Sequence, residues 1–189
     1  MERLGLTDTL PISAKKSTGA EMEKVEFEQM FNSYSHSVRG FLWRRSNGLD
    51  IAISSPDDIE MDVWSIAWSR RESAPTDENY KLPWLFQISR HVLANHIRKT
   101  DVRRKYGSTL DPEEISTLAA DALVLINEEV TEIFAVLNSS EREVMALTVW
   151  EDLKPNQIAL VLGISPNAVS IRLNKARKKI SNYLERNPA

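Results

Sequence analysis

Residues 155–174 read PNQIALVLGISPNAVSIRLN, and residues 175–179 continue as KARKK. Pro155 suits the first position of a helix, where a missing N–H costs nothing. Ile158, Ala159 and Leu162 then share one face at helical spacing, with Ala159 small enough for a second helix to cross closely. Gly163 follows the last periodic residue, where a chain leaving a helix needs positive φ. Ile164 plugs the angle, and Ser165-Pro166 supplies an N-cap and a first-turn residue for the next helix. Val169, Leu173, Ala176 and Ile180 form the buried stripe of that helix. Asn167, Ile171, Asn174, Lys175 and Lys178 fall on its opposite face, with Ser170 and Arg172 on the flanks. The pattern is a helix-turn-helix, a device that lays its second helix in the major groove of DNA. The plainer reading is a helical hairpin with a solvated basic face.

The chain has 189 residues and 42% hydrophobic content, enough for one or two small packed domains. Net charge is only −3, so the whole chain does not attract a polyanion. Its distribution does: basic residues gather at 98–105 and 172–179, acidic ones at 57–62 and 111–132. The absence of cysteine excludes disulfides, thiolate zinc sites and thiol catalysis, and fits a cytoplasmic location. No apolar stretch is long enough to span a membrane, and residues 1–21 lack a signal-peptide core and read as a disordered tail.

Residues 22–106 carry three helical patterns. Phe27, Phe31, Tyr34, Val38 and Leu42 recur at helix spacing up to a stop at Asn47-Gly48. Ser55-Pro56-Asp57-Asp58 starts a second helix, with Ile59, Val63, Ile66 and Ala67 inward and Trp64 and Trp68 as an aromatic row. Residues 72–81 read as a loop. Pro83 is expected to open a third helix, with Leu85, Ile88 and Val92 inward and Gln87, His91, Ala94 and Arg98 outward. Residues 107–128 read as a flexible acidic linker with a short helix near 119–126. Residues 129–186 add two supporting helices, at 129–137 and 140–150, the second with a capping-box pattern at Ser140-Glu141-Arg142-Glu143. The expected fold is all-α: two small helical domains, the second a helix-turn-helix four-helix unit.

Catalysis finds no support. Asp57 and Asp58 are neighbours that point in different directions on a helix. His91 and His96 lack the i, i+4 spacing of a helical zinc pair. No glycine-rich phosphate loop is present, and no metal or cofactor is expected.

The order of an acidic helix start, a loop, a Pro83-Trp84-Leu85 helix with a basic end, a linker, LNSSEREV at 137–144 and the helix-turn-helix resembles the sigma-70 family of bacterial RNA polymerase initiation factors. It is most similar to the extracytoplasmic-function group, which keeps only domains 2 and 4. The resemblance covers residues 27–105 and 137–184. It implies an alternative sigma factor that binds core RNA polymerase, through the β′ coiled coil and the β flap, and promoter DNA, with an anti-sigma factor as a further partner. Asp57, Asp58, Ile59, Asp62 and Val63 match the helix that docks on the β′ coiled coil, with Met61 standing where the family usually has Gln. Tyr80, Trp84, Gln87, His91, Asn95 and Arg98 match the surface that opens and holds the −10 strand. Family members often carry Asn at the position of His91 and Asp at that of Asn95. Asn167, Ser170, Ile171, Arg172, Asn174, Lys175 and Lys178 match the −35 reading helix, where Arg and Lys pair with guanine edges and Asn with adenine. Asp111, Glu113, Glu114 and Asp121 match a linker that threads the polymerase RNA path.

A rival reading is an autonomous helix-turn-helix regulator that binds duplex DNA without polymerase. It leaves residues 56–98 without a purpose. A third, a helical interaction bundle, predicts no salt-dependent DNA affinity.

Overall fold

The computed structural model describes residues 24–46, 56–104 and 128–187. The expected tail, the Asn47-Gly48 stop, the Ser55 cap and the linker at 107–127 with its short helix lie outside the described residues. Seven α-helices and one 3₁₀ turn make up the described regular structure: α1 Lys24–Ser46, α2 Pro56–Ser69, the turn Arg71–Ser73, α3 Glu78–Arg104, α4 Glu128–Ala135, α5 Ser139–Val149, α6 Pro155–Leu162 and α7 Pro166–Arg186. Helices α1, α2 and α3 pack on one another, and α4 to α7 form the second unit.

In the first unit Val38, Leu42, Ile59, Val63, Ala67, Leu85, Ile88 and Val92 are buried at the expected helical period. Phe31 departs from that stripe. It is 40% exposed and sets its ring edge-on to Trp64 at 4.8 Å, while Phe27 covers Trp68 at 4.9 Å. The aromatic row of α2 therefore draws Phe27 and Phe31 onto the outer side of α1, since an edge-to-face pair stabilises at partial burial.

Two helix starts differ from the sequence expectation. Helix α3 begins at Glu78, not Pro83. Asp77 makes the earlier start possible, because its carboxylate accepts the Asn79 backbone N–H at 3.0 Å. Pro83 then sits inside the helix, where it has no N–H for the Asn79 carbonyl four residues back. Helix α5 is capped by Asn138, not Ser140. The Asn138 side chain accepts the Glu141 N–H at 2.9 Å, and the Glu141 carboxylate accepts the Asn138 N–H at 3.0 Å. The reciprocal box satisfies two donors that a helix start leaves orphaned, and it frees Glu143 for another role.

One hydrophobic core runs through both units. It joins Phe41, Phe86 and Leu93 of the first to Val144, Leu147, Ile158 and Val161 of the second. Phe41 and Phe86 stack at 4.5 Å. A smaller cluster, Phe134, Leu137, Ala146 and Ala176, holds α4 and α5 against α7.

Candidate nucleic-acid interface

The helix-turn-helix forms as its residues dictate. Pro155 takes the first turn of α6, and Gly163 ends that helix in the left-handed region at φ +67°. The N–H groups of Gly163 and Ile164 both reach the Ala159 carbonyl, the second at 3.2 Å. Ser165 caps α7 by accepting the Ala168 N–H at 3.2 Å. Ala159, Val169, Leu173 and Ala176 are buried where the two helices cross. The crossing fixes the outward face of α7.

That face carries Asn167, Ile171, Asn174, Lys175 and Lys178, all exposed, with Ser170 and Arg172 half-buried at its edges. Ile171 is 47% exposed, a cost in water that contact with a thymine methyl would relieve. Ser170 donates to the Pro166 carbonyl at 3.0 Å, so its hydroxyl is already engaged. Between Pro166 and Leu184 the helix holds Arg172, Lys175, Arg177, Lys178 and Lys179 and no carboxylate. Its field is therefore positive along its length. Arg177, exposed and three residues past Asn174, joins this surface. The i, i+3 spacing could have singled it out. Lys179 is committed elsewhere, 2.6 Å from the Glu141 carboxylate. Burial would raise the pKa of Glu141, but Lys179 and the Asn138 N–H outweigh it and hold the group below the usual carboxylate range.

The residues matched to −10 strand contact are not on one open face. Trp84 and Gln87 are buried, Tyr80, Asn95 and Arg98 are half-buried, and His91 is exposed. The expected outward position of Gln87 is thus corrected: its side chain is buried on a helix that packs against α1, α2 and α6. Asn95 accepts a bond from Arg98 at 3.1 Å, which joins two of the group. Desolvation disfavours the His91 imidazolium despite the exposed ring, and Arg90 and Arg70 repel it further, so its pKa falls below the ordinary histidine value. His91 is accordingly a neutral group at pH 7, fit for stacking or hydrogen bonding more than for pairing with phosphate.

On α2, Asp57, Asp58 and Asp62 are exposed, while Ile59 and Val63 are buried in the core. The two apolar residues hold the helix; the carboxylates face outward. His96 reaches Asp62 at 2.9 Å and ties the acidic face to α3. Met61 is 69% exposed beside these acids.

Sequence reasoning missed a cluster of charges between the units. Arg44 meets both Glu151 carboxylate oxygens at 2.7 and 2.8 Å. Arg45 lies 3.4 Å from Glu151 and 3.6 Å from Glu143, and Arg90 lies 3.4 Å from Glu143. The Arg44-Arg45 pair among apolar residues was the available signal, but no local spacing names its partners.

Comparison with known proteins meets this geometry. The family described as "Sigma-70, region 4" matches residues 127–180, the unit that carries the helix-turn-helix. The RNA polymerase sigma factor NccH of Alcaligenes xylosoxydans xylosoxydans is 26% identical over 188 residues, covering 95% of this chain and 98% of that protein. Residues 127–180 belong to sigma-70 region 4, and the chain as a whole is similar to sigma factors of the extracytoplasmic-function group. Further sigma-70 relatives agree across most of the length. The ECF RNA polymerase sigma factor SigL of Mycobacterium tuberculosis is 23% identical over 180 residues, covering 91% of this chain and 96% of that one. The probable RNA polymerase sigma factor RfaY of Xanthomonas campestris pv. campestris is 29% identical over 139 residues, 70% of this chain but only 34% of that longer protein. The solved sigma factor RpoE of Bartonella quintana, in complex with the anti-sigma factor NepR, shares the fold. Its TM-score is 0.58 at 20% identity, over 86% of this chain and 98% of that one.

Proposed function

We propose that this sigma-70 protein is an alternative sigma factor that binds bacterial core RNA polymerase through its first unit, residues 22–106, and reads −35 promoter DNA through its second, residues 129–186. The observation that carries the reading is the pairing of two surfaces on one chain. The outward face of α7 is polar and basic, and the start of α2 is acidic. An autonomous regulator needs only the first of these.

In this reading Asn167, Arg172, Asn174 and Lys175 contact base edges, and Lys178 with Arg177 contacts phosphates. Asp57, Asp58 and Asp62 meet a basic helical partner on the β′ subunit, with Met61 adding an apolar contact where a polar one is usual. His91, Tyr80, Asn95 and Arg98 hold the opened −10 strand by stacking and by following its backbone, while Trp84 and Gln87, buried in this structure, back that surface from within α3. The chain performs no catalysis of its own and acts in the cytoplasm beside the polymerase. Among the described residues no helix is long and apolar enough to cross a membrane. An anti-sigma protein is its natural regulator, by analogy with the solved relative.

Co-elution with sigma-free core RNA polymerase on a sizing column tests the proposal. A stable complex is expected. Failure with folded protein and core from the same organism would favour the autonomous regulator instead.

A further inference from the structure

Helix α2 holds an apolar side chain in the middle of an acidic face. Met61 is 69% exposed, more than any other large apolar residue among those described. Asp57 and Asp58, four and three residues before it, share its side of the helix, and Asp62 follows it. All three carboxylates are exposed, and His96 reaches that of Asp62 at 2.9 Å. Trp64 and Trp68, three and seven residues on, extend the same stripe, but Phe31 meets the first ring at 4.8 Å and Phe27 the second at 4.9 Å. The Met61 thioether therefore stands in solvent, at the border between an acidic helix start and an aromatic ridge.

Exposure decides which sulfur an oxidant reaches. The chain has five methionines and no cysteine, so no thiolate competes for a peroxide. Met30 is 3% exposed in the core, and Met145 is half-buried against it. Met1 and Met22 lie outside the described residues. We propose that Met61 is a reversible oxidation site, and that its sulfoxide strengthens docking of the acidic face of α2 on core RNA polymerase. The second half of this statement rests on the sigma-factor reading; the site itself does not.

The chemistry needs only hydrogen peroxide. A lone pair on the Met61 sulfur attacks one peroxide oxygen, the O–O bond breaks, and hydroxide leaves with the bonding pair. The hydroxysulfonium so formed gives its proton to that hydroxide. Thioether and peroxide become sulfoxide and water, with two electrons passed from sulfur to oxygen. The carboxylates one turn back favour the positive charge that passes through the sulfur. Methionine sulfoxide reductases return the thioether.

Oxidation changes what the face can recognise. A thioether sulfur is a weak acceptor. The sulfoxide carries a strong acceptor oxygen on the δ atom, where a glutamine side chain carries its carbonyl. Asp57, Asp58 and Asp62 already select a cationic partner, and the new oxygen completes a row of acceptors across that face. A Lys or Arg of the partner can then donate a charge-assisted bond where the reduced chain offers only apolar contact. Because Met61 lies outside the core, the fold is not disturbed by the change.

Dilute hydrogen peroxide followed by peptide mass mapping reads the site. Met61 should take up one oxygen well before Met30 and Met145, with helical circular dichroism unchanged. After removal of the peroxide, affinity for immobilised sigma-free core polymerase, read by surface plasmon resonance, should be several-fold tighter. Treatment with sulfoxide reductases of both epimer specificities should restore the starting value. Met61→Leu, whatever its own affinity, should show the same value before and after peroxide, which separates Met61 from Met1 and Met22. Met61→Gln should bind as the oxidised parent does and show no response to peroxide. A Met61 that oxidises no faster than Met30 would overturn the site. An oxidised chain that binds core no more tightly than the reduced one, or a Met61→Leu chain that responds as the parent does, would overturn its role in docking. Selective, reversible oxidation of Met61 in a folded chain that binds no core in either state would support the site and refute the sigma reading instead.

Discussion

Gly163→Ala isolates the cost of the turn that aims the recognition helix. Gly163 has φ +67°, and a Cβ added there meets nothing within 4 Å. No clash therefore contributes, and the substitution changes only backbone energy. Left-handed backbone costs an L-residue roughly 1–2 kcal/mol. The alanine also stiffens the unfolded chain, which offsets part of that cost without cancelling it. The expected destabilisation is about 1 kcal/mol, equivalent to roughly 2–4 °C in Tm for a chain of this size. Asparagine tolerates the left-handed region and should cost less than alanine, whereas valine, stiff at its branched carbon, should cost more. Urea titration followed by tryptophan fluorescence reads the midpoint, and an unchanged slope shows that the folded surface is intact. An alanine variant within about 0.3 kcal/mol of the parent would refute the strain argument, as would an asparagine variant weaker than the alanine one.

Further expectations follow from the same geometry. Arg172→Glu combined with Lys175→Glu should abolish retention of a promoter fragment while core co-elution persists; normal initiation by that variant would remove the −35 assignment. Lys178→Ala should weaken duplex binding evenly across sequences and lower the log–log salt slope by about 0.9, read by fluorescence anisotropy at several salt concentrations. Asn138→Ala should cost about 1 kcal/mol in a thermal melt through loss of the cap on α5. Glu141→Gln should destabilise at neutral pH. The folded pKa of Glu141 is depressed, so its contribution is present above the unfolded value and lost as pH falls through the folded one. The two melting curves should therefore converge in acid, below about pH 4. Met61→Gln, at an exposed position, should leave stability within about 0.5 kcal/mol, so any change in core affinity reports on the interface alone.

What was legible in the sequence was what local physics decides. Pro155, Gly163 and Ser165 each hold the place that their backbone chemistry assigns, because a helix start, a left-handed exit and an N-cap need no distant partner. The exposed face of α7 followed from the same periodicity that buries Val169, Leu173 and Ala176. The capping box slipped by two residues because Asn138 and Ser140 are both competent caps. Choice between them depends on Glu141, which only one register lets reach back. Placement of Gln87 failed for a different reason. Its helix is covered on a third side by α6, and periodicity within α3 cannot report a neighbour that arrives from 70 residues away.

Pro83 shows how a local rule and a distant contact become one feature. Read alone, a proline marks a helix start, and that reading placed the start of α3 five residues late. Inside the helix its missing N–H costs the exposed Asn79 carbonyl its helical hydrogen bond. Gln157 recovers it, and the same side chain accepts the Lys154 N–H at 2.8 Å, so one amide closes the start of α6 and fastens that helix to α3. Replacement of Gln157 by Glu should then separate the two tasks. A carboxylate can still accept from Lys154 but cannot donate to Asn79. The cap on α6 should survive, so urea stability should fall by no more than about 1 kcal/mol, the net worth of one hydrogen bond. The chain has no cysteine of its own, so nitroxides on Asn32→Cys and Asn182→Cys, both at exposed positions, report the distance between the units, which should lengthen or broaden. A Gln157→Glu chain with the parent's distance would mean that the apolar core alone holds α6 on α3, and that the Asn79 carbonyl is incidental to their packing.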